Sequence, residues 1–222
     1  MATRTFISLE DKLAANVPGC PRPTIEQYVR NIAIEVCEKT LAWRYEQDAI
    51  PLVAGVYEYD YEVPTGSEVV GIIHSALSSN GAYADTLRHL SQEELHRQYP
   101  DWPNTTVANR GTPAALSQFN PDQFLIAPVP DSENTYSLKM FLALRPTQDA
   151  TGMDKSVFDE CEQLIIHGVL QHLHTLPGKS WTDYGLASYH AKQYTYKTSA
   201  RRAKANLGVG RASVTAQMRP LA

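Results

Sequence analysis

Apolar residues recur at Ile25, Tyr28, Val29, Ile32, Ala33, Val36 and Cys37, a stripe at helical period. Thr24-Ile25-Glu26-Gln27 has the form of a capping box, with a hydroxyl at the cap and Gln three residues on. The pattern predicts a helix from there to about Arg44, roughly 30 Å long. From Tyr45 to about residue 146 the period drops toward two. Val56-Tyr57-Glu58-Tyr59-Asp60-Tyr61-Glu62-Val63 alternates, with Tyr57, Tyr59, Tyr61 and Val63 on one face. Pro64 to Ser67 is a turn, Glu68 to Leu77 a second strand, and Asn80-Gly81 a hairpin signal. Ser91-Gln92-Glu93-Glu94 opens a short helix that Pro100 closes. Residues 102–113 read as a loop. Phe119 to Pro130 reads as strand, Asn-Pro-Asp turn and strand, and Thr135 to Leu144 as the last strand.

Helical period then returns. Phe158, Cys161, Leu164, Ile165, Gly168, Val169, His172 and Leu173 share one side of a helix expected over 155–175. Gly168 inside it costs about 1 kcal/mol of propensity against Ala, which close approach of a neighbouring helix would explain. After Pro177-Gly178, Ser180 to Asp183 resembles a weaker capping box for a helix ending near Asn206. At the other end, Pro18, Gly19, Pro21 and Pro23 break regular structure, so residues 1–22 read as an arm.

The expected fold class is therefore α+β. One N-terminal and two C-terminal helices form a bundle, an antiparallel β-rich lobe is inserted, and both terminal arms are extended. The expected domains are an arm over 1–22, a bundle from 23–44 plus 153–206, a β-rich insert over 45–152 and an extended tail over 207–222.

Composition permits a packed core: 43% of the 222 residues are hydrophobic. The net charge of −4 hides an asymmetry. Asp183 is the last acidic residue, and Lys192, Lys197, Arg201, Arg202, Lys204, Arg211 and Arg219 follow it. The preceding residues carry 13 Lys and Arg against 24 Asp and Glu, so the body is about −11 and the end about +7. Such a split suits docking on an acidic neighbour or on nucleic acid. Lys197, Arg201 and Lys204 fall at spacings of four and three, which predicts a basic helix face. Tyr184, Ala187, Ala191 and Tyr194 mark a different, less polar face.

Little points to bond-making chemistry. The chain has no GxSxG elbow, P-loop, GxGxxG or EF-hand loop. His167, His172 and His174 are not at the i, i+4 spacing of a helical metal pair, and His167 and His174 stand about 10 Å apart along the axis. They read as surface or interface histidines, with no metal and no cofactor expected. Asp154, Asp159, Glu160 and Glu162 suit the positive start of a helix. Cys20, Cys37 and Cys161 form no CxxC pair, and the latter two read as small core residues. No signal peptide or membrane span is expected.

The layout resembles the head–tail adaptor (neck) proteins of tailed bacteriophages, in particular the podovirus-type tail-adaptor group. The likeness is carried by the opening helix from Thr24 to Arg30, which ends in Leu41-Ala42-Trp43-Arg44, and by the Tyr-rich strand from Gly55 to Tyr59. It is carried further by Phe124 to Pro130 and by the closing helix pair, Ala-rich and basic. It covers nearly the whole chain. The loop over 100–113 is longer than in smaller members. The resemblance implies a structural, non-enzymatic ring subunit, twelve-fold in such adaptors, that joins portal to tail and lets DNA pass. It implies the portal ring, tail or nozzle proteins, neighbouring copies and packaged duplex DNA as partners, with no membrane. It also implies a place in the virion neck after synthesis in the host cytoplasm, and a C-terminal part that contacts the portal. The alternative is a non-specific nucleic-acid-binding module that uses the basic end.

Overall fold

The computed structural model describes residues 2–79, 82–102, 104–133 and 135–207. In chain order the strands are β1 (Thr3–Thr5), β2 (Trp43–Pro51), β3 (Glu58–Asp60), β4 (Ser67–Ser79), β5 (Ala82–Asp85), β6 (Arg88–His89), β7 (Arg110–Gly111), β8 (Ala115–Gln118), β9 (Gln123–Ala127), β10 (Val129–Pro130), β11 (Tyr136–Pro146) and β12 (Gly152–Asp154). The α-helices are α1 (Glu10–Ala14), α2 (Arg22–Thr40), α3 (Gln92–Gln98), α4 (Lys155–Thr175) and α5 (Tyr184–Leu207). The chain is mixed α+β and divides into two units. One takes the segments up to Ala42 and from Thr151; the other is Trp43–Ala150.

In the first unit α2 begins earlier than the sequence pattern suggests. Pro21 is its N-cap and Pro23 lies in its first turn, where a fixed φ and a missing N–H cost nothing. Thr24 therefore sits inside the helix, and the expected capping box at Thr24–Gln27 is not the start. The helix also stops earlier, at Thr40. Leu41 takes a left-handed φ of 49° and its N–H bonds the Cys37 carbonyl. Trp43 and Arg44 belong to β2 instead. Ile25, Val29, Ile32, Ala33, Val36 and Cys37 of the expected stripe are all buried.

The expected N-terminal arm is folded rather than extended. Phe6, Leu9, Leu13 and Val17, spaced by three, four and four, are fully buried. β1 pairs antiparallel with β12, opposing Arg4 to Met153. Phe6 packs on Phe158 of α4 with ring centroids 6.1 Å apart. The prolines begin only at Pro18, so they leave the helical turns before them intact.

Asp154 caps α4, its carboxylate accepting from Ser156 N at 2.9 Å and Val157 N at 3.2 Å. The buried side of α4 runs through Phe158, Cys161, Leu164, Ile165, Gly168, Val169 and Leu173, as the sequence predicts, but the expected His172 is only half-buried and His174 is buried instead. For α5 the cap is Asp183, which accepts from Leu186 N at 3.0 Å. Ser180 does not cap it, and the Thr182 hydroxyl instead donates to the Leu176 carbonyl. Of the expected tail over 207–222, everything past Leu207 lies outside the described residues.

The second unit holds two four-stranded sheets, ordered β2-β11-β4-β5 and β3-β9-β8-β6, and a parallel pair of β7 with β10. That pair engages part of the segment expected as a loop over 100–113. The first sheet is antiparallel; in the second, β6 runs parallel to β8. Gln118 donates to the Val69 carbonyl at 3.3 Å and Ser75 bonds His89 at 2.9 Å, tying the two sheets. The tyrosine-rich strand is three residues long rather than eight, yet its aromatic face packs inward. Tyr59 and Tyr61 lie against Phe124, and Tyr57 meets Trp102 edge-on. Ser91 and Glu94 form a reciprocal capping box at the start of α3.

Candidate docking site on the last helix

α5 turns a narrow side toward the rest of its unit. Ala187, Tyr194 and Ala205 are buried there, at spacings of seven and eleven that keep one face. The Tyr194 hydroxyl donates to Glu35 of α2 at 3.0 Å. Lys39 sits over the Tyr194 ring at 5.5 Å and pairs with Glu35. Burial, then the Glu35 carboxylate, pushes the Tyr194 phenol above its ordinary range.

The basic face of α5 is tied in part to α4. Arg201 reaches back to Glu160 of α4 at 2.5 Å, and its side chain is only 15% exposed. Lys204 leans on the same carboxylate at 3.8 Å. Lys197 is half-buried and acts electrostatically on His167. A carboxylate on the facing helix draws this side of α5 inward, and a view of one helix alone does not show that. Lys192 and Arg202 are exposed. Arg211 and Arg219 lie outside the described residues.

The outward face carries other residues. Tyr184 is 65% exposed, Tyr189 54% and Tyr196 73%, with Leu186 also exposed. Tyr189, Lys192 and Tyr196 follow at steps of three and four, so they form one stripe. No carboxylate occurs on α5. Exposed tyrosines suit a contact surface, because Tyr offers large area at low entropic cost. The spacing was present in the sequence; only the burial of the opposite side reveals which face is free.

Two polar groupings lie elsewhere. On the seam between α4 and α5, His167 and His174 meet His190, whose Nδ1 is 2.9 Å from His167 Nδ1. Sequence reading missed His190, because nothing local pairs residues on different helices. Among the described residues, no group of three His, Cys, Asp or Glu side chains is placed to hold a metal ion. In the second unit, the fully buried Ser75 bonds His89, which lines a recess of about 250 Å³ with Ile72, Leu90, Leu116 and Gln118.

Cys37 and Cys161 are buried free thiols, and burial raises both above the ordinary thiol value. No described helix is long and apolar enough to cross a membrane. No protein-family model matches the chain, and no curated protein matches it.

Proposed function

We propose that the chain is a structural subunit of a tailed-phage neck, a head–tail adaptor that works through docking surfaces. In this reading α2, α4 and α5 are the bundle, the β-rich segment is a lobe inserted in it, and copies assemble as a ring on the portal. One observation carries the reading: α5 offers an exposed Tyr184, Tyr189, Lys192 and Tyr196 surface, free of carboxylates, and leads into a basic C-terminal segment. The opposite charge of the remaining chain favours head-to-tail contacts, which close into a ring when the rotation fits. Tail or nozzle proteins would take the ring's other side, and duplex DNA would pass through it.

Electron microscopy of the full chain mixed with a portal ring tests this. The expected image is an added ring of density on the portal. Removing residues 207–222 is expected to abolish docking while the melting temperature stays unchanged. No added density with the intact chain would remove the adaptor reading. Unchanged docking after trimming would remove only the role given to the tail.

The same stripe supports a second reading, a non-specific nucleic-acid-binding module, because aromatics beside a cation also suit bases and phosphates. That reading expects duplex affinity to fall steeply with salt. Absence of a gel shift at low salt would eliminate it.

A further inference from the structure

His167 and His174 lie seven residues apart on one face of α4, and His190 of α5 meets both. The Nδ1 atoms of His167 and His190 stand 2.9 Å apart. At that distance the two nitrogens share one proton: one imidazole donates, the other accepts. The His190 ring stacks on His174, with centroids 5.8 Å apart and planes 15° from parallel. His174 is buried, and its Nδ1 donates to the Trp181 carbonyl at 2.8 Å. Tyr189 meets both His167 and His190 edge-on.

The charges around the cluster do not favour a cation there. Lys197 faces His167. The carboxylates of α4 are occupied elsewhere, Asp159 and Glu162 with Arg4, and Glu160 with Arg201. Asp183 is bonded to Leu186 N. On α2 the titratable groups toward α4 and α5 are Tyr28, stacked on His172, and Glu35 and Lys39, both at Tyr194. Burial first, then Lys197, holds His167 below the ordinary histidine range. Burial, then His167 and His174, does the same for His190.

We propose that His167, His174 and His190 form a proton-operated latch that holds the first turns of α5, bearing Tyr184, Tyr189 and Lys192, against α4. With both imidazoles of the His167–His190 pair protonated, two N–H donors face each other and two positive charges stand beside Lys197, whereas a single added proton on the donor's Nε2 keeps the bond. The later half of α5 is held independently by Tyr194 on Glu35 and Arg201 on Glu160, so release is local. Both folded-state pKa values lie below the unfolded one. The latch is therefore closed above about pH 6.5, and its contribution is lost as pH falls through the lowered values. Its use in docking rests on the reading of α5 given above; its existence does not.

Amide hydrogen exchange on the isolated full chain, at about pH 7.5 and about pH 5 and corrected for intrinsic rates, reads the latch without any partner. Protection of residues 184–192 is expected to fall about tenfold or more at the lower pH, while 196–204 keep theirs. In the His167→Gln, His190→Gln double variant, protection is expected to be equal at both pH values. No loss in the wild type, or the same loss in the double variant, would overturn the latch. Should the variant not fold, NMR titration of the wild-type imidazoles decides. Midpoints below the ordinary histidine value support the latch, and ordinary midpoints sink it. A failure to dock on a portal at neutral pH counts against the adaptor reading alone.

Discussion

Gly168 of α4 and Tyr194 of α5 touch so closely that a methyl group would not fit between them. A Cβ built on Gly168 would lie 2.9 Å from Tyr194 Cε2 and 2.7 Å from Ile32 Cγ2 of α2. Three helices thus meet at one residue that has no side chain. The same tyrosine donates to Glu35, so the close approach also aims a hydrogen bond.

Gly168→Ala gains about 1 kcal/mol of helix propensity. The added methyl displaces Ile32 or Tyr194, and overpacking of this kind costs about 1–3 kcal/mol. The expected net effect is destabilisation, read as a lower urea midpoint with an unchanged slope. A more stable variant would show that the seam yields without cost.

The N-terminal segment belongs to the core of its unit. Phe6 is fully buried against Phe158, and Phe6→Ala is expected to cost about 3–5 kcal/mol. Ile7, its exposed neighbour, gives the control: Ile7→Ala should change stability by no more than about 0.5 kcal/mol. Thermal melts of both variants check this. Similar melting temperatures would mean that the segment behaves as the loose arm its prolines suggested.

Arg4 bonds Glu162 at 2.8 Å, pairs with Asp159, and lies 4.8 Å above the Phe158 ring. Lys12 and then Arg4 hold Glu162 below the usual carboxylate range, and Lys155 and then Arg4 do so for Asp159. A lowered folded-state pKa contributes stability above the unfolded value, about 4, and loses it as pH falls through the folded one. Arg4→Gln is therefore expected to melt below the wild type at neutral pH, with the gap narrowing as pH falls below about 4. A gap that stays constant with pH would assign the loss to packing on Phe158.

How much was legible in the sequence follows from what each signal depends on. The α4 stripe and its Gly168 could be read because helical period is local and the cost of an interior glycine needs a return. The start of the chain was misread because Pro18, Gly19 and Pro21 outweighed the Phe6, Leu9, Leu13, Val17 spacing just before them. The basic side of α5 could be read as a set of positions, but its pairing with Glu160 could not, because Glu160 lies on another helix. His190 escaped for the same reason. The free face of α5 became visible only once Ala187 and Tyr194 were seen to be buried.

Two kinds of change on α5 should separate docking from folding. Tyr184→Ala with Tyr196→Ala removes exposed rings, so the melting temperature is expected to hold, each change costing no more than about 0.5 kcal/mol. If that face meets a partner, the double variant should bind a portal ring at least about tenfold more weakly, since truncating aromatic anchors at an interface commonly costs 2 kcal/mol or more. Arg201→Ala does the reverse. Among the described residues it leaves Glu160 with the longer Lys204 contact, and it removes a mostly buried side chain, so the fold should be measurably weaker at neutral pH. Portal binding by sedimentation, set beside thermal melts of the same samples, checks both. Unchanged binding in the tyrosine variant would move the docking surface off this face, and an unchanged melt in Arg201→Ala would show that its pair with Glu160 adds little to the fold.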